Sequence, residues 1–276
     1  MQINSNSSVN QNVYLNNNQA LTRIATGLEV NKSADNASGL AIATNLLAQS
    51  NGYSQAIENT NSAIAATQIA SGATNEQSNI LDNIKEKLLQ ASTDTTSQEG
   101  RDAILKDIKS QLEQFDKIAS GTNYNGQTLL QNSATDSTAS QVQQYQSGLN
   151  GENIIEASSV QSNTQGLGLT ALATQDATTF TASGARGYLE TIDNAINDLN
   201  SVKSEFGAIQ NQLQSSNRNL ISQETSTLQA NSAFDTNYAQ ESANFSKQNI
   251  LAQIGAFSQA QGNNINQQMV SRLLLS

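Results

Sequence analysis

The chain has 276 residues, of which 36% are hydrophobic, 4% aromatic and 13% charged, and its formal net charge is −10. So little apolar and aromatic content suits thin seams between helices better than one thick core, and the acidic balance excludes nucleic acid and anionic membrane surfaces as expected partners. Cys, His, Pro and Trp are absent, which removes disulfides, thiolate metal sites, a cysteine nucleophile, the commonest general base and the commonest transition-metal ligand.

Without Pro, nothing in the composition forbids very long helices. The start, Met1-Gln2-Ile3-Asn4-Ser5-Asn6, has no basic segment and no apolar core of the secretory kind. No apolar run approaches the ~18 residues of a membrane span. The chain is therefore expected either to stay in the cytosol or to leave by a route that needs no cleaved signal.

The first 28 residues carry Val9, Val13, Ala20 or Leu21, Ile24 and Leu28 at steps near 3.6, the mark of one amphipathic helix. Arg23 is nearly its only charge, and Asn and Ser fill the other face. Such a helix is marginal in water by itself. The stretch 29–43, with Gly27 before it and Gly39 inside it, reads as a break followed by an N-cap region. A long helix is expected over roughly 44–95, with a seam at Ala73, Gln77, Ile80, Ile84, Leu88 and Ala91. The polar cluster from Ser92 to Gly100 is a loop. A third helix then carries Ile104, Ile108, Leu112, Phe115 and Ala119, and Gly121 stands where a C′ residue would end it.

From about 122 to 183 the character changes. Asn125-Gly126 and Asn150-Gly151 are turn signals, and Val142, Tyr145, Ile154, Ile155 and Val160 punctuate segments rich in Ser, Thr and Gly. This predicts a small β-rich cap. The last hundred residues return to helix. Seven-residue steps give Ile192, Leu199, Phe206, Leu213, Leu220, Thr227, Phe234 and Glu241, a heptad seam, with Leu189, Ile196, Val202 and Ile209 beside it. Phe245, Ile250, Ile254, Phe257, Ile265, Met269 and Leu273 continue the pattern. Between 231 and 276 the charges are Asp235, Glu241, Lys247 and Arg272.

The expected fold is mainly α: a long coiled-coil bundle with a small β-hairpin-containing central region and paired terminal helices. Four stretches follow. Residues 1–43 form an N-terminal polymerisation helix and connecting spoke, and 44–183 the first part of the coiled-coil domain with the central β region. Residues 184–230 form its C-terminal helix, and 231–276 a C-terminal polymerisation helix. Because the chain reverses in the middle, both ends finish on one side.

Several residues carry a resemblance. Ile3-Asn4-Ser5-Asn6, the run from Arg23 to Asn31, the run Ala34-Asp35-Asn36-Ala37-Ser38-Gly39-Leu40-Ala41-Ile42-Ala43 and Thr122-Asn123-Tyr124-Asn125-Gly126 resemble the N-terminal half of bacterial flagellin. Gln248-Asn249-Ile250-Leu251-Ala252-Gln253 and Arg272-Leu273-Leu274 resemble its C-terminal signature. The pattern at Ile80 to Lys85 and in the Thr93–Ser97 loop is nearest to epsilonproteobacterial flagellins. The family's variable outer domains are missing, and the segment between Asn6 and Gly27 is several residues shorter than in most relatives.

The resemblance implies a structural subunit that self-assembles into the extracellular filament used for swimming. It implies export by the flagellar secretion apparatus without a cleaved signal. Its partners would be further copies of itself in a helical homopolymer, an export chaperone on the C-terminal helix, the filament cap and hook-junction proteins. The polymerisation interface would comprise Ile3, Val9, Val13, Leu21, Ile24, Leu28, Ile250, Ile254, Phe257, Ile265, Met269 and Leu273.

In many flagellins a Leu-Gln-Arg-Val-Arg-Glu-Leu segment is read by a vertebrate Toll-like receptor. The matching residues here run from Leu81 to Lys87. Asn83 replaces an Arg fork and Lys87 replaces an apolar contact, while Asp107 keeps an acidic one. Asn83, Ile84, Lys87 and Asp107 would thus form a weakened receptor surface. Ser and Thr in the central segment could accept O-linked sugars, but no residue singles out a site.

Other functions compete less well. A hook–filament junction protein shares the end helices but lacks the match at 36–43, and a non-polymerising coiled-coil binding protein would need no uncharged ends. Catalysis has little to work with. Asp94, Glu99 and Asp102 lack calcium-loop spacing, Gly166-Leu167-Gly168 lacks the context of a nucleotide loop, and no His exists for a serine triad. No catalytic residue, metal ligand or cofactor is expected.

Overall fold

The computed structural model describes the backbone of residues 3–274 apart from positions 132, 134, 137, 139 and 141. Side chains are described from 11 to 262 with the same five exceptions, and at 264, 267 and 268. The long elements are α1 (Ile3–Thr26), α2 (Ser33–Ala91), α3 (Gln98–Gly121), α5 (Ala182–Ser232) and α6 (Tyr238–Leu274). Between them lie the strands β1 (Asn123–Tyr124), β2 (Gln127–Thr128), β3 (Gln143–Gln146) and β4 (Ile154–Ala157), and a one-turn helix α4 (Thr170–Ala173). The chain divides into two compact units, one made of residues 52–224 and one of residues 1–51 with 225–276.

The 52–224 unit is built on antiparallel helices whose seams follow the heptads. On α5, Ile192, Leu199, Phe206, Leu213 and Leu220 are all buried. On α2, one seven-residue series is Ala56, Ala63, Ala70, Gln77, Ile84 and Ala91, and the other is Thr60, Thr67, Thr74, Leu81 and Leu88; every one is buried. The far half of α2 packs its Leu81, Ile84 and Leu88 with Ile104, Ile108, Leu112 and Phe115 of α3 and with Ile192 and Leu199 of α5. The near half is thinner. Ala63, Ala66 and Ala70 meet Phe206, Ile209 and Leu213, and Leu129, Leu130, Ile155 and Val160 of the central region close the cluster.

The Thr residues of that seam bury their hydroxyls by donating back to the helix. Thr60 Oγ1 bonds the Ala56 carbonyl at 2.7 Å and Thr67 Oγ1 that of Ala63 at 2.8 Å. Gln77, fully buried, donates its Nε2 to the carbonyls of Ser162 (2.7 Å) and Phe115 (3.2 Å). One side chain thereby ties α2 to α3 and to the returning chain.

Element boundaries differ from expectation in three places. The long helix begins at Ser33, not near 44, with a kink at Asn36 (φ −163°, ψ 100°) whose Oδ1 accepts the Gly39 amide at 2.9 Å. The N-cap chemistry was legible; the break is simply shorter, because Asp35 Oδ2 collects the amides of Asn31 and Lys32 at 3.2 and 3.0 Å and turns the chain quickly. The same helix stops at Ala91, not 95. Gly121 lies within α3, which is capped by Thr122, whose amide donates to the Ile118 carbonyl. The left-handed residues come later, at Asn125 (φ 50°) and Gly126 (φ 79°), a pair of positive φ values that only a two-residue I′ hairpin turn demands.

That turn joins β1 to β2, with Tyr124 opposite Gln127. A second hairpin pairs β3 with β4, Tyr145 opposite Ile155, and turns Ile155 and Ala157 inward. The central region holds less strand than a β-rich cap would. Buried amides take the place of ladder bonds. Gln131 accepts from the Ser162 amide (3.1 Å) and donates to the Thr138 carbonyl (2.5 Å). Asn163 donates to the carbonyls of Ser133 (3.1 Å) and Asp136 (2.7 Å). Irregular backbone that is satisfied by side chains in this way has no need to become a strand.

α3 shows the local logic of the helices. Ser97 caps it by accepting the Gly100 amide at 3.1 Å, Glu99 sits in the first turn, and Ile104, Ile108, Leu112, Phe115 and Ala119 form its buried face.

Candidate assembly interface

In the unit formed by the two ends, α1 and α6 pack antiparallel. At the closed end of the pair, Gly27 takes φ +75°, and its amide bonds the Arg23 carbonyl at 2.9 Å, which ends α1. The Gly27 carbonyl then accepts the Thr236 amide at 2.8 Å, the Glu29 amide reaches the Phe234 carbonyl at 2.9 Å, and Leu28 and Asp235 form an isolated antiparallel bridge. A Cβ at position 27 would lie 2.7 Å from the hydroxyl at the tip of the exposed Tyr238 side chain, which can move aside, so it is the positive φ that favours glycine here. Further along, Arg23 meets Glu241 at 3.6 Å, and Asn17 Nδ2 donates to Asn249 Oδ1 at 2.8 Å.

The inner surface of this pair is small and partly polar. Ala20 and Glu241 are buried, and Val13 and Ile24 are half-buried. Of the alternatives Ala20 and Leu21, Ala20 faces inward and Leu21 outward. The larger apolar groups remain uncovered: Leu21 on α1, Leu28 just beyond its end, and Ile250, Ile254 and Phe257 on α6, with Phe257 70% exposed. Tyr14, Leu15 and Leu251 are exposed as well and were missed in the sequence. They sit one or two places off the 3.6 stripe, and only their apolar character on a nearly uncharged helix could have marked them. Ile3, Val9, Ile265, Met269 and Leu273 lie outside the described side chains.

Ile250, Ile254 and Phe257 recur at i, i+4 and i+7, so they form one outward stripe. An exposed stripe of large apolar groups without charge has the composition of an interface centre and not that of a solvated helix face.

The segment from Leu81 to Lys87 behaves differently. Leu81 and Ile84 are fully buried in the seam with α3 and α5. Ile84 was expected on a receptor-type surface and is corrected here: its place in the seven-residue series turns it into the core. Asn83 is exposed. Lys87 Nζ lies 3.1 Å from Asp107 Oδ2, and Lys85 Nζ 2.5 Å from Asp193 Oδ1. Asp107, the acidic group retained from the family pattern, is thus matched within the chain.

Among the described residues the remaining carboxylates singled out in the sequence do not gather into a site. Asp94 pairs with Arg186 at 3.3 Å and Asp102 accepts from Gln98 at 2.8 Å, so the three carboxylates of the 94–102 stretch are separately engaged or separately solvated. Among the described residues no group of three or more acidic side chains could hold a metal ion, and no helix is long and apolar enough to cross a membrane.

Comparison with known proteins agrees with this geometry. Residues 1–135 match the bacterial flagellin N-terminal helical region, and residues 189–274 match the bacterial flagellin C-terminal helical region. The chain is 31% identical to a flagellin of Halalkalibacterium halodurans over 94% of its own length and 92% of that protein. It is 46% identical to Flagellin B of Helicobacter pylori over 114 residues, 41% of this chain and 22% of that longer one. In fold it is similar to a putative flagellar hook-associated protein of Vibrio parahaemolyticus, with a TM-score of 0.57 over 69% of this chain and 95% of that one, at 10% identity. Matched from end to end by a flagellin of nearly its own length, the chain belongs to the bacterial flagellin family and is a non-enzymatic structural subunit of the extracellular flagellar filament.

Proposed function

We propose that the subunit polymerises through the α1–α6 pair, with Val13, Leu21, Ile24, Leu28, Ile250, Ile254 and Phe257 forming the described part of the interface. Ile3, Val9, Ile265, Met269 and Leu273 extend it. The carrying observation is the outward stripe of Ile250, Ile254 and Phe257 on a helix with hardly any charge. Each such side chain gains about 1.5–3 kcal/mol when fully buried, so a few of them per subunit, repeated along a polymer, outweigh the ordering cost of two marginal helices. Head-to-tail repetition of one such contact gives an open helical filament.

The same stripe supports the partners. Before assembly an apolar α6 requires cover, which fits an export chaperone on the C-terminal helix. A filament cap or a hook-junction protein would meet the terminal pair where no further copy of the chain lies beyond. Export by the flagellar secretion apparatus suits ends that are only marginally stable when alone. Residues 1–43 and 231–276 then serve as polymerising ends, and 44–183 with 184–230 as the coiled-coil domain. At the 81–87 segment the proposal is weak recognition by the innate receptor, with Asn83, Lys87 and Asp107 as its altered surface.

The test is Ile254→Asp and, separately, Phe257→Asp. Both variants are expected to stay in the supernatant under conditions that pellet wild-type filaments, while the helical signal of the 52–224 unit melts unchanged. Normal filaments from either variant, seen by electron microscopy, would refute the interface.

A further inference from the structure

Three asparagines precede a glycine: Asn51, Asn125 and Asn150. A glycine leaves its amide nitrogen uncrowded. That nitrogen can therefore attack the side-chain carbonyl carbon of the asparagine before it, provided the asparagine ψ brings the two together. The backbone decides which of the three can do so.

Asn51 lies inside α2, where Gly52 is fixed in helical geometry and Leu149 sits over its Cα. Asn125 has φ 50° and is followed by Gly126 at φ 79°, the I′ turn that sets the register of Tyr124 opposite Gln127. Rotating ψ there would undo the hairpin. Asn150 is in the exposed loop 147–153 between β3 and β4, outside the paired register, and Gly151 has no positive φ to maintain. Its carbonyl accepts from the Asn153 amide (2.9 Å) and from Gln146 Nε2 (2.6 Å). Water can replace both at small net cost.

We propose that Asn150 is a site of spontaneous deamidation. The Gly151 amide loses its proton to solvent base and its nitrogen bonds to Asn150 Cγ. The Cγ–Nδ2 bond breaks, ammonia leaves, and a five-membered imide closes. Water then opens the imide at either carbonyl. Opening at the side-chain carbonyl yields aspartate, and opening at the main-chain carbonyl yields isoaspartate, with the backbone running through Cβ. One water is consumed, one ammonia is released, and nothing is oxidised or reduced. The product adds a negative charge two residues from Glu152 and, as isoaspartate, lengthens a loop anchored by Leu149 on Gly52 and by Ser216 Oγ on the Ser147 carbonyl (3.2 Å).

The experiment incubates the full-length monomer at neutral and mildly alkaline pH and maps amide loss by digestion and mass spectrometry, with enzymatic methylation of isoaspartate as a second readout. Amide loss at Asn150 is expected to be at least about tenfold faster than at Asn125 or Asn51, the ratio that ~1.4 kcal/mol of barrier produces. It accelerates with pH, and in denaturant the three rates converge. Gly151→Ala, at an exposed position, slows loss at Asn150 about tenfold or more and leaves Asn125 unchanged. Equal rates at the three sites in the folded chain, an Asn150 that keeps its amide while the denatured chain reacts, or a rate indifferent to Gly151→Ala would each overturn the assignment.

Discussion

Arg23 and Glu241 face each other across the terminal helix pair at 3.6 Å, and the Glu241 side chain is only 11% exposed. Asn244 Nδ2 also donates to this carboxylate at 3.3 Å. Glu241 occupies the last step of the heptad that starts at Ile192, a series whose other members are apolar except Thr227.

Removing Arg23 leaves that carboxylate buried with too few partners. Arg23→Ala is expected to destabilise the α1–α6 pair by about 1–3 kcal/mol, the usual penalty for an unsatisfied buried polar group. The double change Arg23→Met with Glu241→Met is expected to recover most of it, because a buried ion pair seldom exceeds an apolar pair of similar volume. The thermal dissociation midpoint of filaments, compared across the three variants, checks both statements.

The 52–224 unit is most sensitive at the α2–α3–α5 seam. Ile84→Ala should cost about 2–5 kcal/mol, whereas Ile69→Ala, at an exposed position of the same helix, should stay within about 0.5 kcal/mol. Gln77→Ala frees the carbonyls of Phe115 and Ser162 and is expected to cost about 2–4 kcal/mol. Denaturant midpoints of the monomer measure all three.

Acid titration should separate two groups of carboxylates. Burial raises the Asp116 carboxyl above 3.8, outweighing its bonds from the Thr164 side chain and amide. Its protonated form is favoured in the folded chain, so this group contributes stability that is fully present below 3.8 and is lost as pH rises through its raised value. Asp136 and Asp176 are held below 3.8 by the hydroxyls and amides of Thr138 and Thr178. Their contribution is present above 3.8 and is lost as pH falls through their lowered values. Asp116→Asn is expected to remove the first slope and keep the second, as read from denaturation midpoints across acid pH.

Purified monomer is expected to activate the innate receptor weakly or not at all in a reporter assay, since Lys87 occupies an apolar contact position and pairs with Asp107. Lys87→Leu frees Asp107 and should raise the response without reaching that of a flagellin with the full Arg-containing segment. Potent activation by the unmodified chain would contradict the proposal.

How much of this was legible before any coordinates depends on the kind of residue. The seams were, because a heptad is a geometric instruction: Ile192 through Leu220 are buried in sequence, and so are Thr227 and Glu241 beyond them. The Asn125-Gly126 turn was legible for the same reason, since few residues tolerate its φ values. The terminal stripe was readable in part; Leu21 was on it, but the choice between Leu21 and Ala20 needed the partner helix. Ile84 was misjudged because a surface motif and a core heptad overlapped in one segment, and core packing prevailed. The irregular chain around Gln131 and Asn163 was illegible. Its conformation rests on amide bonds between residues about thirty positions apart, and no local pattern announces those.

The middle of α2 places Ala at 56, 63 and 70 and Thr at 60, 67 and 74. Sliding this helix by two turns would set alanine where alanine was and threonine where threonine was, so over that length the interface hardly distinguishes one alignment from the next. The degeneracy ends at position 77, where the following step would bring a glutamine. With its amide committed to two carbonyls on different segments, Gln77 acts as the index mark that selects one alignment from a repeating scale.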